Sequence, residues 1–314
     1  MTGAYGFVGV QLCSALVDRH WRVVAGHRRA VLPAAIPGVA PAYLPLLSEP
    51  DRWLQSLQSI EYVVHLAAHV HQMASRPRED AAYEEINVRG SRFVAEQAAR
   101  AGVKRFIFLS SAKVNGERTN SRSYRADDPA EPHGAYARSK ASAESIIREI
   151  CARTGMEFVI VRPPLVYGPG VRANFHRLLR LAELGWPLPF GSIANRRSLV
   201  GVVNLADFIV ASMEHVKAAG RVWMVTDGED ISTPDLIGRA ARFMRRPVRL
   251  FPCPPAVLRT VAKLIGRSVE AARLCDSFVL DAGPAREILQ WSPPMSLDDG
   301  LEQTVADYLA RPRK

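Results

Sequence analysis

Thr2-Gly3-Ala4-Tyr5-Gly6-Phe7-Val8-Gly9 decides the fold, because its three glycines have the spacing of a turn that joins a strand to a helix. Glycine lets the backbone turn tightly and approach a diphosphate, and the free N–H groups that begin the next helix attract phosphate oxygens. The pattern predicts a phosphate-binding turn. Taken alone it is a weak signal, since a glycine turn can precede any helix.

Only Met1 and Thr2 precede this turn, whereas a central parallel strand needs about five residues. We therefore expect the functional protein to begin several residues upstream, with an apolar, β-branched run directly before Thr2. Without that run, neighbouring strands would keep unpaired N–H and C=O groups, each of which costs about 1–3 kcal/mol when buried.

Strands and helices alternate along the first half of the chain. Short apolar runs predict buried parallel strands, and the segments between them have helical periodicity. The predicted strands are Val23–Ala25, Tyr62–Ala67, Phe106–Leu109 and Phe158–Val161, and the predicted helices are Phe7–His20, Glu79–Ala101 and Tyr136–Arg153. The alternation predicts an α/β fold with a doubly wound parallel sheet of the Rossmann type.

The proline-rich segment 33–50 predicts a loop around one short strand near Ala42–Leu47. Ser48 is a candidate N-cap for a short helix over Glu49–Leu57.

Beyond Tyr167 the alternation loosens, which predicts a second, smaller part. Helices are predicted at Asn174–Leu184, Leu205–Val216, Thr233–Arg245, Ala256–Ile265 and Leu297–Leu309, with short strands at Leu199–Val203 and Val222–Val225. We expect a dinucleotide-binding domain over residues 1–165 and a smaller mixed α/β substrate-binding lobe over residues 166–314, parts of which return to the first domain.

Tyr136-Ala137-Arg138-Ser139-Lys140 places a phenol and an ammonium group one turn apart on the same face of a helix. A nearby ammonium favours the phenolate and lowers the phenol pKa of about 10 toward working pH. Tyr136 is therefore a candidate general acid or base. The same spacing also occurs on exposed helices that carry no chemistry.

Leu109-Ser110-Ser111-Ala112 follow the predicted strand at Phe106. Ligands of open parallel sheets bind beyond the carboxyl ends of the strands, so a serine hydroxyl here can hold a substrate oxygen. The alternative is a serine that only caps the turn.

In this order, the three motifs resemble the extended short-chain dehydrogenase/reductases, in particular the NAD-dependent epimerase/dehydratase family of nucleotide-sugar enzymes. The resemblance covers nearly the whole chain. Further matches are His65-Leu66-Ala67-Ala68, Asn87-Val88-Arg89-Gly90, Arg162-Pro163, Val166-Tyr167-Gly168-Pro169-Gly170, Asn174-Phe175, Arg196–Val200 and Val203–Asp207.

The resemblance implies an NAD(P)-dependent enzyme that acts at C4 of a UDP-sugar, as UDP-glucose 4-epimerases do. Tyr136 would be the acid/base, Lys140 would bind the nicotinamide ribose, and Ser111 would orient the reacting oxygen. Asn174 and Arg197 would bind the substrate diphosphate. The cofactor would contact Gly3, Tyr5, Gly6, Phe7, Gly9, Arg28, Arg29, Leu66, Ala67, Ala68, Asn87, Tyr136, Lys140 and Pro163.

The choice between NAD and NADP depends on His27-Arg28-Arg29, which follow the second strand. An acidic residue here would accept a hydrogen bond from the ribose 2′-hydroxyl of NAD, whereas arginine accommodates a 2′-phosphate. The two arginines favour NADP slightly. Two solvated arginines beside bound NAD are about as compatible with the sequence.

Several residues depart from the family pattern. Asn115 stands where the group usually has tyrosine, and no acidic residue reads the adenine at Leu46-Leu47-Ser48. Arg267–Arg273 does not reproduce the late arginine–glycine–aspartate pattern of classical UDP-galactose epimerases. The Thr-Asp-Glu triplet of sugar dehydratases is replaced by Ser110-Ser111-Ala112, which counts against dehydration because no carboxylic acid is there to eliminate water.

Two alternatives to an epimerase stay open. One is an NAD(P)H-dependent 4-keto-reductase of a UDP-4-keto-6-deoxy sugar in surface-polysaccharide precursor synthesis. The other is a non-catalytic nucleotide-binding regulator or a truncated, inactive product.

Composition excludes several classes for this 314-residue chain of net charge +10. No apolar run is long enough to span a membrane, and no secretory signal begins the sequence. Four scattered cysteines predict a reducing, cytoplasmic location. Dispersed basic residues argue against nucleic acid, and His65, His69 and His71 lack a carboxylate that would complete a metal site. We expect no membrane partner and no metal, and a homodimer is compatible with the sequence.

Overall fold

A parallel sheet flanked by helices forms the centre of the structure, a computed structural model that describes residues 1–27, 35–44, 49–70 and 77–311. The first strands are β1 (Val23–His27), β2 (Val39–Tyr43), β3 (Tyr62–His65), β4 (Arg105–Leu109) and β5 (Glu157–Arg162). The helices among them are α1 (Phe7–Asp18), α2 (Pro50–Leu57), α3 (Pro77–Ala82), α4 (Gly90–Arg100) and α5 (Gly134–Thr154), and a π-helical segment, Tyr83–Arg89, joins α3 to α4.

The second half of the chain has shorter strands and more helices. Its elements are β6 (Leu165–Tyr167), α6 (Ala173–Leu184), β7 (Pro187–Leu188), β8 (Arg197–Gly201), α7 (Val202–Glu214), β9 (Arg221–Met224), β10 (Asp230–Ile231), α8 (Thr233–Phe243), β11 (Arg249–Leu250), α9 (Pro255–Leu264), α10 (Ser268–Cys275), α11 (Gly283–Leu289) and α12 (Leu297–Ala310). The strands β10, β8 and β6 form a small sheet in that order, and β11 pairs with β7.

Met1 and Thr2 join two groups of parallel strands into one sheet. The strands β3, β4, β5 and β9 pair in that order, and β1 pairs with β2. Between them, the Met1 amino group donates to the Val24 carbonyl (2.7 Å), and the Thr2 N–H donates to the Val64 carbonyl (3.0 Å). These two residues therefore lie between β1 and β3, where the central strand was expected. The expectation of an upstream run stays a prediction.

Apolar side chains cover both faces of the sheet, which confirms the predicted doubly wound α/β class. On one face, α1 and α7 pack against the sheet around Leu12, Phe208 and Trp223; on the other, α4 and α5 pack around Phe106 and Ile147. A separate core lies among α6, α8 and α12. The strand β9 and helix α7 come late in the sequence and pack with the first part.

The structure corrects several predicted boundaries. The strand predicted to reach Ala67 ends at His65, which leaves Leu66–Val70 as a loop. The strand predicted at Leu199–Val203 ends at Gly201, because Val202 and Val203 begin the buried helix α7. Apolar runs do not distinguish a buried strand from a buried helix by periodicity.

Other local predictions fall partly outside the described residues. The strand predicted near Ala42–Leu47 is observed earlier, at Val39–Tyr43; Ser48 and the Leu46–Ser48 positions lie outside the described ranges. The sequence analysis did not predict α10 and α11. Within the described ranges, no helix is both long and apolar enough to cross a membrane, and the four cysteines are free thiols.

Candidate active site

The glycine turn lies at the carboxyl end of the sheet, and its backbone is packed so closely that side chains on Gly3 or Gly9 would clash with neighbouring backbone atoms. Gly3 has a φ of 70°, and a Cβ built on it would lie 2.7 Å from the Ala67 nitrogen. A Cβ on Gly9 would lie 2.2 Å from the Gly3 carbonyl oxygen. The turn and the loop after β3 thus approach backbone to backbone, and Gly6 directly precedes α1. The N-terminus of α1 has no side-chain cap, and the adjacent turn and loop present backbone rather than side chains. The diphosphate of a dinucleotide fits this place.

Asn87 fixes the loop after β3 to helix α5. Its Oδ1 accepts from the His69 N–H (2.7 Å), and its Nδ2 donates to the His69 carbonyl (3.1 Å) and to Ser139 Oγ (3.0 Å). Ser139 Oγ in turn donates to the Tyr136 carbonyl (2.8 Å). Asn87 lies in the π-helical segment, a form often found at functional sites. It positions Ala67 and Ala68 relative to Tyr136, and its predicted cofactor contact stays a prediction.

The phenol of Tyr136 and the hydroxyl of Ser111 meet at the carboxyl end of β4. The Ser111 hydroxyl lies within reach of the Tyr136 phenol, and Ser111 Oγ accepts from the Lys113 N–H (3.3 Å). Burial raises the pKa of Tyr136 to about 12, although the Ser111 hydrogen bond acts in the opposite direction. The pair can hold one oxygen between two hydroxyl groups, as the sequence analysis predicted for Ser111 and Tyr136.

The expectation that Lys140 lowers the Tyr136 pKa is not met in this structure. The Lys140 ammonium donates to the Leu109 carbonyl (2.8 Å) and lies 4.6 Å from the centroid of the Phe108 ring. Burial lowers the pKa of Lys140 itself to about 8. Lysine and tyrosine share a helix face, as predicted, but the ammonium points to the end of β4.

A buried ion pair lies one further turn along α5. Glu144 accepts from Arg162 Nε (2.9 Å) and Nη2 (2.5 Å), and also from Ser110 Oγ (2.5 Å). Arg162 Nη1 donates to Asn115 Oδ1 (3.0 Å). Asn115, which stands where the family usually has tyrosine, thus accepts a hydrogen bond from a buried guanidinium. The network ties α5 to the ends of β4 and β5, where Ser111 lies.

Two aromatic contacts that the sequence analysis did not predict lie beside the Tyr136 phenol. Tyr83 contacts Tyr136 edge-on, with centroids 6.1 Å apart, and the His69 ring lies 5.0 Å from Tyr83. His69 Nε2 is buried and has no hydrogen-bond partner within the described residues. The sequence signal for this contact was the spacing of Tyr83 and Asn87, which are four residues apart and therefore lie on one helical face.

Four of the remaining predicted cofactor residues lie in the described part of the chain and make the following contacts. Tyr5 packs edge-on against His27, and Phe7 packs against the core of the second lobe. Leu66 packs on the core beside α1, and the Pro163 carbonyl accepts from the Ala112 N–H (3.0 Å). Arg28 and Arg29 lie outside the described residues. Their cofactor contacts, like those of the glycine turn, stay predictions.

Of the three predicted substrate residues, Ser111 lies beside Tyr136, and Asn174 and Arg197 lie in the second half of the chain. Asn174 is exposed in the first turn of α6. Arg197 Nη1 donates to the carbonyls of Arg273 and Asp276, both at 2.9 Å. Burial lowers the pKa of Arg197. The sequence analysis dismissed the segment around Arg273, yet the fold places the end of α10 against Arg197; the three-residue spacing of Arg273 and Asp276 was the missed signal.

The described residues contain no group of three or more potential metal ligands. His65 is buried and bonded to Thr2 Oγ1 (2.7 Å) and Ser91 Oγ (3.1 Å), so it closes the sheet beside the glycine turn. Burial lowers its pKa to about 3. His71 lies outside the described residues.

Comparisons with known proteins agree on one family. The profile of the "NAD dependent epimerase/dehydratase family" matches residues 1–225. A protein of Vibrio cholerae named "UDP-glucose 4-epimerase" is 39% identical over 313 residues, which is 98% of this chain and 94% of that protein.

Solved structures show the same fold. A UDP-glucuronic acid 4-epimerase from Bacillus cereus in complex with NAD has a TM-score of 0.77 at 24% identity and covers 98% of this chain and 97% of its own. A UDP-glucose 4-epimerase from Thermotoga maritima with UDP-glucose has a TM-score of 0.76 at 22% identity, with the same coverage. The 39% identity and the family match over most of the chain decide the assignment: this chain belongs to the NAD dependent epimerase/dehydratase family.

Proposed function

We propose that this chain is an NAD-dependent 4-epimerase of UDP-sugars. The observation that carries the proposal is the close approach of the Tyr136 and Ser111 hydroxyl groups, with Tyr136 one helical turn from Lys140 and at the same end of the sheet as the glycine turn. The 39% identity to a UDP-glucose 4-epimerase over nearly the whole chain supports the choice of reaction.

In the proposed reaction, Tyr136 and Ser111 handle the C4 oxygen of the sugar. When bound, the nicotinamide would supply the acceptor for the C4 hydride and the donor that returns it to the opposite face of the keto sugar. Tyr136 takes the proton of the C4 hydroxyl and returns it, and Ser111 hydrogen-bonds to the same oxygen. Because burial holds the pKa of Tyr136 near 12, the phenol is protonated at neutral pH until a positive charge approaches it. Lys140 is the nearest candidate, and turning its ammonium from the Leu109 carbonyl toward the phenol would favour the phenolate.

The cofactor and the diphosphate of the substrate would be bound by different parts of the chain. Gly3, Gly6 and the start of α1 would hold the cofactor diphosphate, and Lys140 would hold the nicotinamide ribose. Asn174 and Arg197 would bind the diphosphate of the substrate, with the carbonyls of Arg273 and Asp276 orienting the guanidinium.

The decisive experiment is a turnover assay without added cofactor. We expect purified protein to retain NAD, detectable by mass spectrometry, and to interconvert UDP-glucose and UDP-galactose, or the corresponding N-acetylated pair, as followed by anion-exchange chromatography. One-way oxidation of added NAD(P)H by a UDP-4-keto-6-deoxy sugar would instead identify a keto-reductase. Cofactor binding without turnover on either panel would identify a regulator.

The preference for NAD or NADP is tested separately. If Arg28 and Arg29 hold a 2′-phosphate, their double replacement by alanine weakens NADP far more than NAD in a fluorescence titration. The double variant Arg245→Ala/Arg246→Ala, in an exposed pair elsewhere, serves as the matched control. Equal weakening of the affinities for NAD and NADP would show that the two arginines are ordinary solvated residues.

A further inference from the structure

Large apolar side chains are exposed along one side of helix α9. Val257, Val261, Leu264 and Ile265 recur at helical spacing, and their exposed fractions are 49%, 51%, 82% and 63%. Val269, on the neighbouring helix α10, is 60% exposed. Residues at these spacings share one helix face. We call these five residues the α9 face. The adjacent positions Leu258 and Ala262 are more buried, and Leu258 attaches the helix to the core of the lobe.

Three further large apolar side chains are exposed near β7 and β11. Phe251 is 46% exposed and lies between β11 and α9, and Trp186 and Val248, 66% and 41% exposed, precede the paired residues of β7 and β11. Leu250 and Leu258 pack on the same core cluster, so β11 and α9 both belong to the second lobe. Exposed tryptophan and exposed apolar helix residues are both typical of a membrane interface.

The same segment carries most of the excess positive charge. Between residues 245 and 275 there are seven basic residues and one acidic residue, Glu270, in a chain of net charge +10; the basic ones are Arg245, Arg246, Arg249, Arg259, Lys263, Arg267 and Arg273. Of these seven, only Arg259 forms an ion pair within the described part of the chain, with Asp276. The remaining cations are available to an external anionic surface.

We propose that the α9 face and the basic segment 245–275 dock this chain peripherally onto an anionic lipid bilayer. Apolar side chains would enter the interface, and the flexible stems of lysine and arginine would reach the lipid phosphates. A second copy of the chain is disfavoured, because two identical faces would bring like charges together. At ten residues, α9 lies on the surface and does not span the bilayer. The expectation of no membrane partner rested on the absence of a spanning segment and does not address this contact.

Vesicle co-sedimentation tests the proposal. We expect the wild-type protein to bind vesicles of phosphatidylcholine mixed with phosphatidylglycerol, and to bind vesicles of phosphatidylcholine alone much more weakly. Binding decreases as salt is added, because the attraction of basic residues to anionic lipid is screened. Among the described tryptophans, Trp186 is the exposed one, so its emission shifts to shorter wavelength when vesicles are added, and Trp186→Phe removes that shift.

Two variants and two matched controls separate the apolar and charged contributions. Leu264→Asp and the double variant Lys263→Glu/Arg267→Glu should each lower the vesicle partition coefficient roughly tenfold or more. Val216→Asp and Lys217→Glu make the same kinds of change in another exposed segment, where Val216 is 83% exposed, and should leave binding unchanged. Far-UV circular dichroism checks that each variant folds.

Three results would overturn the proposal. The first is no binding of wild-type protein to anionic vesicles at low salt. The second is equal binding by the α9 variants and the controls. The third is a concentration-dependent dimer, seen in sedimentation equilibrium, that Leu264→Asp dissociates, since the face would then join two copies of the chain. None of these readouts depends on the sugar or cofactor.

Discussion

Two buried arginines at opposite ends of the central sheet show how position decides the role of one residue type. Arg105 begins β4 and donates through Nη1 to the carbonyls of Ser212, Met213 and His215, near the carboxyl end of α7. Arg162 ends β5 and pairs with Glu144 on α5. Both guanidinium groups are almost fully buried. Arg105 closes the end of the sheet away from the site, whereas Arg162 supports the end where Ser111, Tyr136 and Lys140 lie.

The carboxylate partners of the two arginines differ in solvent exposure. This difference determines how much stability is lost when each ion pair is broken. The side chain of Glu157, the carboxylate partner of Arg105, is 38% exposed, whereas that of Glu144 is 3% exposed. Water can solvate Glu157 if its partner is lost. Glu144 would keep a charge in a low-dielectric interior, where an unpaired charge is strongly destabilising. The network beside the candidate site is thus less tolerant of change than the closed end.

The largest effect is expected where chemistry alone changes. Tyr136→Phe removes the proton that the proposed reaction moves, so turnover should fall by about 10²–10⁴, the usual contribution of a positioned acid or base. Cofactor affinity and melting temperature should change little. Tyr308→Phe, which removes a hydroxyl bonded to Glu183 in the second lobe, is the control. Near-normal turnover of Tyr136→Phe would remove this residue from the mechanism.

Arg162→Met should combine a stability defect with a defect at the site. It removes the buried cation of Glu144 and leaves this carboxylate only the longer ion pair with the exposed Arg148 (3.9 Å), so the free energy of unfolding should fall by about 3–5 kcal/mol. Urea denaturation measures this loss. The double variant Arg162→Met/Glu144→Met should recover part of the stability, because no unpaired charge remains. If the double variant is no more stable than the single one, the stranded charge is not the cause.

Arg105→Met should give a smaller, purely structural effect. The carbonyls at the end of α7 lose a shared donor, so we expect the free energy of unfolding to fall by about 1–3 kcal/mol. Turnover per folded molecule should stay within about twofold of wild type, as measured below the unfolding transition. A selective loss of turnover in this variant would contradict the separation between the two ends of the sheet.

The smallest effect concerns the pH dependence of stability. The pKa of Lys140 is lowered to about 8 in the folded chain, whereas an unfolded lysine has a pKa of about 10.4. Between these values the unfolded state binds more protons, so the Lys140 contribution to stability rises with pH by roughly 1 kcal/mol per pH unit. Burial raises the pKa of Cys13 and Cys151 to about 11, which acts oppositely above pH 9.

The Lys140 contribution is therefore read as the difference between wild type and Lys140→Met. Urea denaturation at pH values between about 8 and 9 should show stability rising more steeply with pH in the wild type than in the variant. Parallel pH profiles would indicate that the ammonium is solvated in the folded protein.

The sequence alone determined the alternation of strands and helices in the first half of the chain, the doubly wound class and the residue types of the site. Glycine spacing, the Tyr136–Lys140 pair and the serine after β4 are local patterns, and local patterns are set by backbone conformation and helical spacing. The sequence also determined the family resemblance, since its motifs retain their order along the chain.

Only the tertiary structure decided which groups meet. Glu144, Arg162 and Asn115 come from three separate segments, and no local spacing predicts that they form one buried network. The direction of the Lys140 ammonium depends on a carbonyl at the end of another element, β4, and on burial. Likewise, the α9 face is apolar in sequence, but only packing decides that Leu258 is covered while Leu264 stays exposed. Periodicity shows that a helix has an apolar side; long-range packing determines whether that side is buried.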